Sequence, residues 1–139
     1  MMKKFKIDKN FVPCPVAEDD EIYQNGIFEF NITKLTDFIK SNPDIFIPET
    51  IVVKDYYEGT VNEDHMPNVV ILEPVILAEI APGRFNVIDG NHRMEKARRM
   101  GIEKIKAYRV HAIYHQKFLT NKEAYISYVN YWNDKLKDM

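Results

Sequence analysis

The chain has 139 residues, enough for one domain with a sizeable core, and its 45% apolar content excludes a disordered chain. Lys plus Arg (19) nearly balances Asp plus Glu (21), which argues against a protein that coats nucleic acid or an anionic membrane by bulk charge, and a single cysteine excludes an internal disulfide or a Cys-rich zinc site. No apolar stretch follows the basic start Met1–Lys6, and the longest apolar run, Val69 to Ala81, is broken by Glu73, Pro74 and Glu79, so the expectation is a cytoplasmic single domain over 1–139 without membrane association.

In chain order, residues 1–25 carry two prolines around Cys14 and the acidic run Glu18–Glu21, and read as an irregular arm. Cys14, between Pro13 and Pro15 and away from any basic helix start, reads as a packed or exposed arm residue rather than a reactive thiolate. Gly26 opens an alternating stretch to Ile32 with apolar residues at 28, 30 and 32, which is strand period. Thr33 then caps a short helix with Leu35, Phe38 and Ile39 on one face, stopped by Asn42-Pro43-Asp44. Glu49–Tyr57 is β-branched and aromatic and predicts a strand. Gly59–Pro67 is polar and predicts an exposed loop, and Val69–Leu72 and Val75–Ile80 predict strands around Pro74.

Pro82-Gly83 is a turn dipeptide, so Arg84–Ile88 is expected to fold back on Val75–Ile80 as a hairpin. Asp89-Gly90-Asn91 breaks the strand, and His92–Met100 predicts a helix ended by Gly101 in a left-handed cap with Ile102 behind it. Ile105–Tyr114 reads as a strand. Residues 120–137 read as a C-terminal helix with Tyr125, Tyr128, Trp132 and Leu136 at spacings of three or four. The fold class is α+β: a small mixed sheet with hairpins, a strand–turn–helix suited to phosphate, and the C-terminal helix.

Charge is uneven along this map. Arg84–Arg109 holds eight basic and three acidic residues in a chain whose net charge is −2, so the positive potential surrounds one strand–turn–helix unit. The first N–H groups of a helix lack intrahelical partners and carry partial positive charge. Asn91 or Asp89 can cap some of them, and Gly90 allows a tight turn and close approach of a ligand. His92 and Arg93 fall in the first turn, while His92, Lys96 and Arg99 share a face opposite Met94, Ala97 and Gly101. A phosphate is the guest such a turn suits, with Gly90, Asn91, His92, Arg93, Lys96 and Arg99 as its candidate ligands. Asp89 and His92 are the catalytic candidates, Asp89 to orient His92 or hold a magnesium ion through water, His92 as acid or base. The plainer alternative is a solvated basic helix face after an ordinary turn.

His111 and His115, four apart, could join His65 around a metal; no fixed carboxylate or cysteine completes the set, and ordinary polar histidines are the competing reading. Walker and dinucleotide-binding glycine fingerprints are absent.

The segment Glu73–Val110 resembles the ParB/sulfiredoxin-type domain. The likeness runs through Pro74-Val75-Ile76-Leu77, then Phe85 to Arg93, Ala97, Gly101 and Ile105-Lys106-Ala107, and Ile27–Leu35 resembles that family's opening strand and short helix. Its specific motif is Asp89-Gly90-Asn91-His92-Arg93. Gly90 and Arg93 match the Gly-Glu-Arg-Arg of the CTP-binding ParB branch. Gly90, His92 and Arg93 match the Gly-Cys-His-Arg of sulfiredoxins, but Asn91 stands where their nucleophilic cysteine does, and an amide cannot do that chemistry. Four of five positions match the Asp-Gly-His-His-Arg of free-serine-kinase-like members. The resemblance implies a nucleotide (ATP, ADP or CTP) with Mg²⁺ bridging its phosphates, and phosphoryl transfer or nucleotide hydrolysis. Its alternative is a non-catalytic DNA- or protein-binding module of a partition or mobile-element system. Only 25 residues follow Tyr114, too few for the DNA-reading domain of partition proteins. The aromatic residues of the last helix, Tyr125, Tyr128, Tyr131 and Trp132, suit either core packing or a homodimer face.

Overall fold

A computed structural model describes residues 3–26, 28–56 and 73–139. The expected strand Val69–Leu72, the loop Gly59–Pro67 with His65, and Tyr57 lie outside the described residues.

The element that organises the fold is β4 (Val75–Ala81), every residue of which is buried. Its near-continuous apolar sequence is what a strand covered on both faces requires. It lies inside a four-stranded sheet of order β3-β6-β4-β5, made with β3 (Glu49–Val52), β5 (Arg84–Asp89) and β6 (Lys104–Val110). β4 pairs antiparallel with β5 and parallel with β6, and β3 pairs antiparallel with β6, so the sheet is mixed as expected. The hairpin at Pro82-Gly83 forms where the turn dipeptide places it. Ala81 pairs with Arg84, and Gly83 takes φ 75°, the left-handed value that the third position of a type II turn needs.

Alternation along β4 divides the interior into two cores. Ile76, Ala78 and Ile80 face a large core closed by α1 (Ile32–Ser41) and α5 (Lys122–Lys137). Val75 and Leu77 face a smaller core with Met94 and Ala97 of α3 (Asn91–Arg99), Ile51, Ile105 and Ala107. The C-terminal helix is as expected, with Asn121 as its N-cap accepting from Ala124 N–H at 2.7 Å. α3 ends in a Schellman motif around Gly101 (φ 72°): Ile102 N–H donates to Ala97 O at 2.9 Å and Gly101 N–H to Arg98 O at 3.1 Å.

Four local expectations are corrected. The arm is not irregular to residue 25, because β1 (Ile22–Asn25) pairs antiparallel with β2 (Phe28–Asn31). The first helix is capped by Asn31, whose Oδ1 accepts from Lys34 N–H at 3.0 Å; Thr33 lies inside the helix and its hydroxyl accepts from Glu21 N–H. The strand begun at Glu49 stops at Val52 and becomes one helical turn, α2 (Val53–Tyr56). The strand begun near Ile105 stops at Val110, and α4 (Ala112–His115) takes the chain into a 3₁₀ turn, Gln116–Phe118.

The arm is nonetheless fixed. Asn31 is fully buried, and its amide donates to Pro15 O and to Asp20, which also pairs with Lys34 at 2.7 Å. Lys34 and Asn31 together lower the Asp20 carboxyl to about 2. Further back, Asn133 of α5 clamps Phe5 at both backbone groups, accepting its N–H and donating to its carbonyl at 2.9 Å each. Trp132 Nε1 donates to Lys3 O, and Phe11 stacks on Tyr125 at 3.9 Å. Of the four aromatic residues, Tyr125, Tyr128 and Trp132 are buried inside this one chain and Tyr131 is half-buried. Cys14 is buried, its thiol pushed up by desolvation, and its N–H donates to Leu119 O; it is a packed arm residue. Among the described residues no helix is long and apolar enough to cross a membrane.

Candidate functional site

The turn from β5 into α3 forms as a strand end, a left-handed glycine and a helix start. Gly90 is the N-cap residue with φ 106° and ψ 20°, and no side-chain hydrogen bond caps the helix. Neither Asn91 nor Asp89 acts as the cap, because Asn91 is already the first helical residue and Asp89 turns to another partner. Glycine is required twice over. The φ is one that L side chains rarely adopt, and a Cβ at Gly90 would lie 2.5 Å from Val75 Cγ1. The backbone of the turn is therefore pressed against the start of β4.

Arg93 explains how that approach is held. Its Nη1 donates to Glu73 O at 3.2 Å and Pro74 O at 3.1 Å, and its Nη2 pairs with Asp89 Oδ2 at 2.7 Å. The guanidinium joins the strand end, the helix start and the entry to β4. Its side chain is mostly buried, with these three partners around it. Asp89, a catalytic candidate, has one carboxylate oxygen committed to Arg93.

The six candidate phosphate ligands are brought together only in part. Gly90, Asn91, His92 and Arg93 form the turn itself, and His92 is half-buried there. Lys96 lies more than one helical turn further on. Arg99 is the last residue of α3, about 12 Å along the axis from Asn91 at 1.5 Å per residue. Arg99 Nε binds Glu95 at 2.9 Å, and Arg98 pairs with the same carboxylate. Glu95 is 2% exposed, a buried acid holding the basic end of α3, and its role depends on burial that helix spacing alone does not show. Beside that end lies an open cleft of about 670 Å³ lined by Val53, Asp55, Arg98, Ile102 and Lys104. It adjoins the Schellman turn, at the other end of α3 from Gly90.

The histidine pair does not build a metal site. His115 is fully buried, its Nε2 donating to Glu79 O at 2.6 Å, and burial lowers its pKa to about 4, so it is neutral near pH 7. His111 Nδ1 instead faces the Glu79 carboxylate at 3.2 Å. Among the described residues no three His, Cys, Asp or Glu side chains are grouped so as to hold a metal. At the α3 turn, Asp89, the candidate for holding Mg²⁺ through water, has its Oδ2 paired with Arg93.

No protein-family model, no curated protein and no solved structure matches the chain.

Proposed function

We propose that the β5–α3 turn binds the phosphate groups of a nucleotide. The reading is carried by one observation: α3 starts on a left-handed Gly90, packed against Val75, whose cap position makes no side-chain hydrogen bond, and a helix start presents N–H groups and positive potential to an anion. The αL glycine followed by helical residues is the backbone arrangement that makes an anion-binding concavity. His92 is the acid–base residue of this turn, and Lys96 adds positive charge one turn on. Arg93 holds the turn in shape. The resemblance of Asp89-Gly90-Asn91-His92-Arg93 to phosphate-gripping motifs supports a nucleotide over a simple anion, and phosphoryl transfer or hydrolysis as the reaction class. Any Mg²⁺ in that reaction would enter on the phosphates.

A thermal-shift panel of ATP, ADP, CTP, GTP and pyrophosphate, with and without Mg²⁺, tests this reading. A ligand at about 100 times its Kd stabilises by about 2.7 kcal/mol, several degrees in a domain of this size. The expected result is a rise that depends on the base and is lost in His92→Ala with Lys96→Ala. A flat panel accompanied by salt-sensitive binding to duplex DNA would replace the nucleotide reading with a DNA-docking one.

A further inference from the structure

At the far end of the same sheet, away from Gly90, a second group of polar side chains has no part in the α3 turn. Glu79 of β4 is 4% exposed. Its Oε2 accepts the Gly83 N–H at 3.0 Å, and its Oε1 accepts the Ala112 N–H at 3.2 Å. Two backbone donors, one from the hairpin turn and one from the start of α4, thus fix the carboxylate. The same Oε1 lies 3.2 Å from His111 Nδ1. A carboxylate there selects the tautomer with the proton on Nδ1, which leaves the Nε2 lone pair facing away. The His111 side chain is 61% exposed, and no hydrogen bond to its Nε2 is found among the described residues.

Phe85 and Arg109 flank it. Its ring meets the His111 imidazole edge-on at 5.5 Å, and the Arg109 guanidinium lies 4.9 Å from the same ring. Arg109 is held by the Tyr56 hydroxyl at 2.7 Å and by Glu49. An exposed imidazole nitrogen with a fixed carboxylate behind it is a nucleophile with its orienting partner, the pair that acyl transfer uses.

We infer that His111 and Glu79 form a second, catalytic site, in which His111 Nε2 attacks small activated carboxylic esters. The Nε2 lone pair forms a bond to the acyl carbon, and the bond from that carbon to the aryl oxygen breaks, its electron pair leaving with the phenolate. The acyl-imidazolium keeps its Nδ1 proton, and its positive charge sits against the Glu79 carboxylate. Water then attacks the acyl carbon, the bond from that carbon to Nε2 breaks with its electron pair returning to the imidazole, and the proton water gives up passes through solvent to the phenolate, so that ester and water become acid and phenol. Glu79 is a positioning residue. The site is independent of the α3 reading.

p-Nitrophenyl acetate is the probe, with the full chain at micromolar concentration and N-acetylhistidine at the same concentration as reference. The expected result is hydrolysis about tenfold or more above the reference. His111→Ala and His111→Gln bring the rate to the buffer background, with unchanged circular dichroism. Glu79→Gln lowers the rate about tenfold. Because Glu79 is buried and that variant could fail to fold, ¹⁵N shifts of His111 in the unaltered chain give a second readout, with the proton expected on Nδ1. A chain no faster than N-acetylhistidine, a His111→Ala variant that keeps its rate, or a His111 proton on Nε2 would each overturn the proposal.

Discussion

The two faces of the four-stranded sheet solve different problems. One is closed by α1, α5 and the N-terminal arm over a core rich in aromatic rings, including Phe30, Tyr128 and Trp132. The other is closed by α3 over a smaller aliphatic core of Val75, Leu77, Met94 and Ala97, and its rim is charged. Both candidate sites lie on or beside that second face: the Gly90 turn where β4 begins, and the His111–Glu79 pair where β4 ends. The comparison teaches that ring packing fixes the sheet from one side, while the other side is bordered by the Gly90 turn, where β4 begins, and the His111–Glu79 pair, where β4 ends.

The largest expected effect breaks the first face. Phe30 is fully buried, and Phe30→Ala should cost about 4 kcal/mol, read as a lower urea midpoint. Met94→Ala on the opposite face should cost less, about 3 kcal/mol, because fewer ring contacts are lost. An equal or reversed order would remove the distinction between the two cores.

The next effect is a pH dependence that belongs to the aromatic face. Burial lowers His115 from 6.5 to about 4. Between those values the unfolded chain binds a proton that the folded chain does not, so stability rises with pH across that window. The contribution is complete above pH 6.5 and is lost as pH falls toward 4, on the order of 3 kcal/mol in all. Urea unfolding at pH 7, 5.5 and 4.5 measures it. His115→Gln should flatten the slope, and a slope unchanged in that variant would assign it to other groups.

Much of the second face was legible because its signals are local. Pro82-Gly83 announced the β4–β5 hairpin, Gly101-Ile102 announced the Schellman ending, and Asp89-Gly90-Asn91 marked the start of α3. Where the sequence misled, the determinant was short or distant. α2 and α4 are single turns, too short to show a helical period, and their Val53 and Ile113 read as strand residues. β1 has no alternation of burial, since Ile22 and Tyr23 are half-buried and Gln24 and Asn25 are exposed. Arg93's three partners, Glu73, Pro74 and Asp89, are set by tertiary structure and cannot be read from its spacing. Nothing in the spacing of Glu79 and Glu95 shows that each is buried. The arm's grip on α5 joins Phe5 to Asn133, positions separated by almost the whole chain.

Smaller effects sharpen the comparison. Gly90→Ala should cost about 2 kcal/mol through backbone strain, and the Val75 contact would push the turn away from β4. It should abolish phosphate binding while leaving the near-ultraviolet signal of the aromatic face unchanged. Asn133→Ala should cost about 1 kcal/mol, since it removes two hydrogen bonds at a half-buried position, and it should redden the emission of Trp132 as the arm loosens. Unshifted emission would mean that Asn133 does not hold the arm.

The most direct measurement of the central claim is a titration of the ¹⁵N-labelled chain with pyrophosphate, followed through backbone amide shifts. Saturable movement of the Asn91, His92 and Arg93 amides, with those of α5 unmoved, is the predicted result. Amides at the α3 start that stay still up to millimolar pyrophosphate would contradict the account.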